Sequence, residues 1–153
     1  MEPNVVLNAP RRKILAALLV FIPMTACGAP KMSVTLDLVF FNYLDRPIFD
    51  AFVDGKGGDS ARPYPATGGS TISGVTLALG PKKVSWRLDG PKGTPRNGEM
   101  VIARNTTELT GIPDDARYLA VHIYPDETVE LIVTRHYPRA SEKGIAHASR
   151  GGR

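Results

Sequence analysis

Short runs of alternating apolar and polar residues, separated by glycine and proline, constrain this fold more than any other feature of the sequence. In residues 33–44 (SVTLDLVFFNYL), the apolar residues Val34, Leu36, Leu38 and Phe40 occupy every second position. A period of two is typical of a strand with one buried face. The 15 glycines and 13 prolines interrupt such runs every few residues, and they disfavour long helices. The sequence therefore predicts short strands joined by turns.

Further runs of this kind lie at 48–53, 70–79, 82–88, 99–103, 118–124 and 128–136. The last two flank the turn residues at 125–127 (PDE), an arrangement typical of an antiparallel hairpin. On its second arm, Val129 and Leu131 share one face and Ile132 lies on the other. The stretch 54–70, rich in glycine and proline, predicts a long surface loop.

These runs determine the predicted fold class. No convincing amphipathic helix accompanies them. We therefore predict an all-β fold, an antiparallel β-sandwich or open barrel of about six to seven strands with long Gly/Pro loops.

The N-terminal segment predicts export. The basic triplet at 11–13 (RRK) precedes an apolar stretch at 14–22 (ILAALLVFI) that is too short for a permanent membrane span. Pro23 follows, and residues 24–27 (MTAC) then resemble the lipobox of bacterial lipoproteins. This resemblance implies that residues 1–26 are a signal peptide, cut before Cys27, whose thiol is acylated.

Acylation at Cys27 implies a domain organisation and a location. Residues 27–32 become a lipidated tether, 33–138 a β domain, and 139–153, which are polar, basic and rich in glycine, a flexible tail. Two or three acyl chains give stable anchoring. We therefore expect the protein to be held on the periplasmic side of a bacterial membrane. Gly28 and Ala29, rather than aspartate, follow the cysteine, and the resemblance to enterobacterial lipoprotein sorting signals then implies the outer membrane. Because Cys27 is the only cysteine, no disulfide, cysteine nucleophile or cysteine metal site remains.

The charge excludes one class of partner. Three of the 19 Lys and Arg residues and one of the 15 Asp and Glu residues precede Cys27, so the remaining chain carries a net charge of only +2. Its basic residues are scattered, and aromatic residues are not interleaved among them. We therefore expect no nucleic-acid partner.

No residue pattern indicates catalysis. The histidines at 122, 136 and 147 lack the spacing of metal ligands. Ser70 and Ser73 are flanked by glycine, yet neither fits the nucleophile elbow of a hydrolase. We expect no metal and no cofactor, and a protein that recognises a partner rather than an enzyme. A hydrolase or a sugar-binding enzyme is the less favoured alternative.

Five segments stand in a characteristic order within residues 33–138. They are FNYLDRPI at 41–48, VDG at 53–55, GGS at 68–70, VHIYPDETV at 121–129 and RHYP at 135–138. This order resembles a family of small Gram-negative lipoproteins of unknown function, with the pattern N-Y-x-D-R-x-I, V-N-G, a glycine-rich run and V-H-F-x-P-D. Family members often carry two cysteines after the glycine run, where this chain has TISG at 71–74, so any role of that pair does not transfer.

The resemblance implies a function. Members of this family resemble the immunity partners of type VI secretion lipase effectors, which would bind and block a secreted phospholipase in the periplasm. Residues on predicted loops and turns are candidates for binding such a partner: Tyr64, Arg62, Asp59, Asp114 and Asp126. Simple solvent exposure is the alternative for each of them. The alternative function is a structural or assembly lipoprotein of the cell envelope, with no toxin-neutralising role.

Replacing the acylated residue tests the predicted anchor. We expect Cys27→Ala to release the protein from membranes, because no acyl chain can then be attached. Membrane fractionation measures this, and mass spectrometry of the wild-type protein checks for a processed, acylated N-terminus. Continued membrane retention of the variant would indicate another attachment.

Overall fold

The computed structural model describes residues 32–151. The predicted signal peptide, the lipidation at Cys27 and most of the tether lie outside these residues. Within this range the chain forms ten strands and one helix. Their bounds are β1 Ser33–Asn42, β2 Ile48–Val53, β3 Lys56–Ala61, β4 Ile72–Ala78, β5 Gly80–Lys82, β6 Val84–Leu88, β7 Met100–Ile102, β8 Thr107–Leu109, β9 Tyr118–Ile123, β10 Val129–Thr134 and α1 Glu142–Gly151.

Two four-stranded sheets form the two layers of the fold. The first has the order β10-β9-β1-β4 and the second the order β3-β2-β6-β7, while β5 and β8 form a separate pair. One buried cluster joins them, since it contains Leu38 and Val121 from the first sheet and Ala51 and Trp86 from the second. The all-β prediction is confirmed, and of its two alternatives the sandwich is the one observed.

The pairing of β1 with β9 departs from the expected antiparallel arrangement. These two central strands are parallel, with Asp37 opposite Tyr118 and Asn42 opposite Ile123, whereas the other paired strands are antiparallel. Parallel neighbours require a long connection, which here contains β2 to β8. Local alternation carries no information about so distant a partner.

Both faces of β1 are buried along its second half. Leu38 and Phe40 belong to the core between the sheets. Val39 and Phe41 belong to a second buried cluster on the opposite face of the same sheet. This second cluster positions the candidate site described below.

The predicted hairpin is confirmed as β9 and β10, with Val129 opposite Ile123 and Thr134 opposite Tyr118. Its faces are also as predicted. Val129 is buried in the main core and Leu131 packs against it, whereas Ile132 packs against the second cluster.

The stretch 54–70 is not entirely a loop, because it contains β3. The sequence KGGDSA of β3 has almost no apolar character, and its pairing with β2 holds it as an edge strand. Gly57 has a φ of +126°, and a Cβ atom there would lie 2.7 Å from the carbonyl oxygen of Ala51. Glycine at this position therefore reflects close approach of two strands rather than loop flexibility.

The prediction of a flexible tail at 139–153 is wrong for residues 142–151, which form α1. The segment gives little sign of this, since glycine lowers helix propensity and Ile145 is its only large aliphatic residue. Its contacts with the first sheet are polar and aromatic, as described below. Among the residues that the structure describes, no helix has the length and apolar character needed to cross a membrane.

Candidate functional site

A buried stack of rings lies on the face of the first sheet that points away from the main core. Phe41 and His122 are opposite each other in the β1–β9 register, and their ring centroids are 4.8 Å apart with nearly parallel planes. Tyr43 continues the stack, 5.8 Å from His122 and 5.4 Å from Tyr124. All four rings are buried. Parallel pairing places them in contact because both strands carry aromatic residues at alternate positions.

Hydrogen bonds connect these rings to the start of α1. The Tyr43 hydroxyl lies 2.9 Å from Nδ1 of His122 and accepts a bond from the backbone N–H of Ser141 at 2.8 Å. The Tyr124 hydroxyl donates to Glu130 at 2.7 Å and lies 3.1 Å from the Ser141 hydroxyl. Because Tyr43 accepts from Ser141, its own proton is free to be donated to Nδ1 of a neutral His122.

Burial controls the ionisation of this network. It lowers the pKa of His122 from 6.5 to about 4, although the nearby negative charge of Glu130 acts in the opposite direction. It also raises the pKa of Tyr43 and of Tyr124 above the ordinary value. At neutral pH the imidazole and both phenols are therefore uncharged, which suits a site shielded from water.

The helix α1 docks on this network through its smallest residue. A Cβ atom on Gly144 would lie 2.0 Å from Cζ of Tyr43, so the helix backbone rests directly on the ring. The Ser141 hydroxyl accepts a bond from the Gly144 N–H at 3.0 Å, as an N-cap does. The Lys143 ammonium lies 3.9 Å from the centre of the Tyr124 ring, and the His147 ring lies 5.8 Å from it. Polar and aromatic contacts thus hold a helix that has little apolar surface.

An open groove of about 590 Å³ runs between α1 and the segment that contains Tyr64. It is lined by Tyr43, Leu44, Asp45, Pro63, Tyr64, Pro125, His147 and Ala148. Tyr64 is half-buried, and its ring centroid lies 6.2 Å from that of Tyr43. The groove therefore presents rings and prolines with one carboxylate, a composition typical of binding surfaces.

Asn42 fixes the two segments that form one side of the groove. This side chain is fully buried. Its Nδ2 donates to the carbonyl oxygens of Arg46 at 2.8 Å and Ala61 at 3.0 Å, and its Oδ1 accepts from the N–H of Leu44 at 2.9 Å. Its backbone carbonyl accepts from the N–H of Tyr64 at 2.9 Å. One buried amide thus connects the residues after β1 to the segment after β3.

The structure separates the five residues predicted to bind a partner. Tyr64 lines the groove, and Asp126 follows Pro125 at its edge. Arg62 opens into a second cavity, on the other side of the same segment. Asp59 accepts a bond from the N–H of Ser60 at 2.8 Å, and Asp114 is exposed in the connection between β8 and β9.

The role of Asp126 is local. Its Oδ1 accepts bonds from the backbone N–H and the hydroxyl of Thr128, and the hydroxyl bond lowers the pKa of Asp126 below its ordinary value. This carboxylate therefore shapes the β9–β10 turn beside the groove.

Sequence reasoning missed Tyr43, His147 and Ala148 as groove residues. Two of the three lie on α1, which the sequence did not predict. Tyr43 lies one position beyond β1, in step with Phe41 and Val39. Continuing the second apolar face of β1 by one step would have identified it.

The groove and the buried ring stack offer surfaces and hydrogen-bonding groups for binding. Ser141 and His122 are separated by the Tyr43 hydroxyl, and the Ser141 hydroxyl already caps α1. Across residues 32–151, no group of three or more His, Asp or Glu side chains is placed to hold a metal ion. Comparison with protein-family models, curated proteins and solved structures finds no match to this chain.

Replacing the glycine under α1 tests how the helix docks. On helix propensity alone, Gly144→Ala would stabilise α1 by about 1 kcal/mol. We expect the opposite, a loss of roughly 1–3 kcal/mol of local stability, because the new methyl group collides with Tyr43. Hydrogen exchange of the α1 amides measures it. Ser149→Ala, at an exposed position of the same helix, is the control and should not reduce protection; increased protection in Gly144→Ala would contradict the docking.

The buried imidazole predicts a pH-dependent stability. The pKa of His122 is about 4 when folded and 6.5 otherwise, so its neutral form stabilises the fold fully above pH 6.5. As the pH falls from 6.5 to 4, the unfolded chain takes up a proton that the folded chain does not, and about 3 kcal/mol of unfolding free energy is lost.

The difference in unfolding free energy between wild type and His122→Gln isolates this contribution, because other groups titrate in both proteins. We expect the wild type to have the steeper pH dependence between 6.5 and 4. NMR titration of the wild-type imidazole gives a second readout that does not depend on the variant folding. Protonation of His122 near pH 6.5 in the folded protein would refute the argument.

Proposed function

We propose that this chain is a lipid-anchored periplasmic immunity protein that binds and blocks a secreted lipase effector, with the groove beside Tyr64 as the centre of the interface. The proposal joins the predicted export signal and family resemblance to a binding surface. Its components are a predicted anchor at Cys27, a β-sandwich, and a groove at the end of β1 opposite to the one that follows the predicted tether.

The position of the groove along β1 carries the proposal. β1 begins at Ser33, directly after the predicted tether, and ends at Asn42, next to Tyr43 of the groove. Ten residues at about 3.3 Å each span roughly 30 Å. An acylated N-terminus would hold one end of this strand at the membrane, so the groove would face the periplasm, where a delivered lipase arrives.

The groove has the composition of an interface centre. Tyr64 supplies aromatic surface and the buried Tyr43 ring lies behind it. Tyrosine is among the residues that contribute most to protein–protein affinity. The bonds of Asn42 hold the neighbouring backbone in place, which reduces the entropy lost on binding. A stable complex would extend beyond the groove to bury about 1,200–2,000 Å² in total.

The buried network supports blocking rather than turnover. His122 is buried against the rings of Phe41 and Tyr43, and its Nδ1 is hydrogen-bonded to the Tyr43 hydroxyl. The Tyr124 hydroxyl is bonded to Glu130 and to the Ser141 hydroxyl. These groups fasten the helix that forms one wall of the groove, which is a structural task. An inhibitor needs such a fixed surface and no reactive group.

A structural or assembly lipoprotein is the second candidate, and one surface favours it. On the second sheet, Phe49, Met100 and Ile102 are each about half exposed or more. Exposed apolar residues grouped on one sheet are typical of a permanent partner interface. An envelope-assembly operon around the gene would favour this candidate, whereas an adjacent lipase gene would favour immunity.

The inhibition assay tests the leading proposal. The full-length protein, kept in a neutral detergent, is mixed with a candidate lipase effector from the same genome, and phospholipase activity is followed as the protein is titrated. We expect a stable complex and loss of activity at saturation. Undiminished activity with saturating protein would remove the immunity function.

Truncating the groove tyrosine tests the position of the interface. We expect Tyr64→Ala to weaken the complex by at least about 1 kcal/mol, because an aromatic side chain at the interface centre is lost. Phe49→Ala is the matched control, since it removes an exposed aromatic residue from the second sheet. Equal affinity of Tyr64→Ala and wild type for the lipase would place the interface elsewhere.

A further inference from the structure

A second cavity lies on the other side of the segment that contains Tyr64. It encloses about 360 Å³ and is lined by Phe40, Ser60, Ala61, Arg62, Ala66 and residues 68–70. It shares no lining residue with the groove. The function proposed above does not use it.

The side chains that line this cavity carry positive charge and hydroxyl groups. Arg62 contributes a guanidinium group, and Ser60 and Ser70 contribute hydroxyls. No carboxylate lines it. Among the ion pairs within residues 32–151, none engages Arg62. The cavity therefore has an excess of hydrogen-bond donors and one uncompensated cation.

The backbone adds further donors. The N–H groups of Gly68, Gly69 and Ser70 make no hydrogen bond to any described residue. Backbone amides that point to solvent in a concave site are ready donors for an anion. Three consecutive residues whose amides have no acceptor among the described residues thus line the same cavity as Arg62.

Contacts with Phe41 and Tyr137 hold the loop at residues 68–70 in place. Gly68 has a φ of +75°, and a Cβ atom there would lie 2.5 Å from the Phe41 ring. The Tyr137 hydroxyl donates to the Gly68 carbonyl at 2.8 Å and accepts from the Thr71 hydroxyl at 3.2 Å. One of these bonds uses the Gly68 carbonyl and the other the Thr71 hydroxyl, so neither occupies an amide of residues 68–70. The loop packs on the buried ring stack, so its conformation is built into the fold.

We propose that this cavity binds the phosphate group of a phosphate ester. A phosphate has several oxygens in a tetrahedral arrangement, and it can accept bonds from the guanidinium group, the hydroxyls and the amides together. A cavity of 360 Å³ also has room for the organic substituent, and Phe40 provides an apolar contact for it. A phospholipid headgroup and a soluble phosphate ester share this chemistry.

NMR titration of the full-length protein in a neutral maltoside detergent tests the site. Inorganic phosphate, sn-glycerol 3-phosphate and dihexanoyl phosphatidylglycerol are added separately, at constant ionic strength maintained with chloride. Dihexanoyl glycerol, which lacks phosphate, is the control ligand. We expect saturable shifts of the Gly68, Gly69 and Ser70 amides with at least one phosphate compound and none with dihexanoyl glycerol.

Variants assign the binding to the cavity. We expect Arg62→Gln to reduce the affinity at least about tenfold, because a charge-assisted bond is lost. Arg139→Gln, another exposed arginine, should leave the affinity unchanged. Saturable binding of the phospholipid alone would identify a headgroup site, and binding of the two small phosphates as well would identify a site for phosphate esters in general.

Three outcomes would overturn the proposal. They are shifts that grow linearly without saturation, shifts of equal size in Arg62→Gln, and shifts of equal size with dihexanoyl glycerol. Lipase inhibition by the same Arg62→Gln protein is measured in parallel. The cavity and the groove share no lining residue, so the two proposals can fail separately. If phosphate binding is lost and inhibition is intact, the proposed immunity function stands. If inhibition is lost and phosphate binding is intact, the phosphate site stands.

Discussion

The burial of β1 on both faces is the constraint on which the rest of this structure depends. One face supplies Leu38 and Phe40 to the core between the sheets, and the other supplies Val39 and Phe41 to the cluster under α1. A strand of a β-sandwich normally has one buried face and one solvent-exposed face. Here the second face needs a cover. The loop at Gly68 covers Phe41, and α1 covers Tyr43 and Tyr124 although it carries few apolar residues. The solution is close contact, in which the Gly144 backbone rests on Tyr43 and hydrogen bonds satisfy the polar atoms of Tyr43, Ser141 and His122.

The candidate sites follow from the same strand. At the end of β1, the Asn42 side chain is hydrogen-bonded to the backbone of Leu44, Arg46 and Ala61. These bonds hold the start of the segment at 62–70 against the sheet. That segment separates the groove beside Tyr64 from the cavity beside Arg62. A single buried amide and a single ring, that of Phe41 under Gly68, therefore fix the walls of both concavities. Surface loops commonly carry function when a rigid scaffold positions them.

The sequence predicted the strands that have strong alternation and missed the elements that depend on distant contacts. β1, β6 and the β9–β10 hairpin could be identified because apolar residues at alternate positions are buried locally. β3 could not, since the run KGGDSA contributes few side chains to the core and exists through its backbone pairing with β2. α1 could not, because its docking uses glycine and polar contacts in place of an apolar stripe. Tyr64 was identified because it lies on a predicted loop, whereas identifying Tyr43 and His147 required knowledge of which segments pack beside Tyr64.

The parallel pairing of β1 with β9 has a consequence for how the chain acquires its structure. The contact between Tyr43 and His122 joins residues 79 positions apart in the sequence, so most of the polypeptide must be available before the central pair can form. Closing so long a loop is entropically costly, and topologies dominated by distant contacts reach the native state slowly. During synthesis, β1 leaves the ribosome with two apolar faces and no neighbour, because β9 is added much later. Such a strand is prone to aggregation until its partners arrive, so the incomplete chain gains from any factor that holds it unfolded.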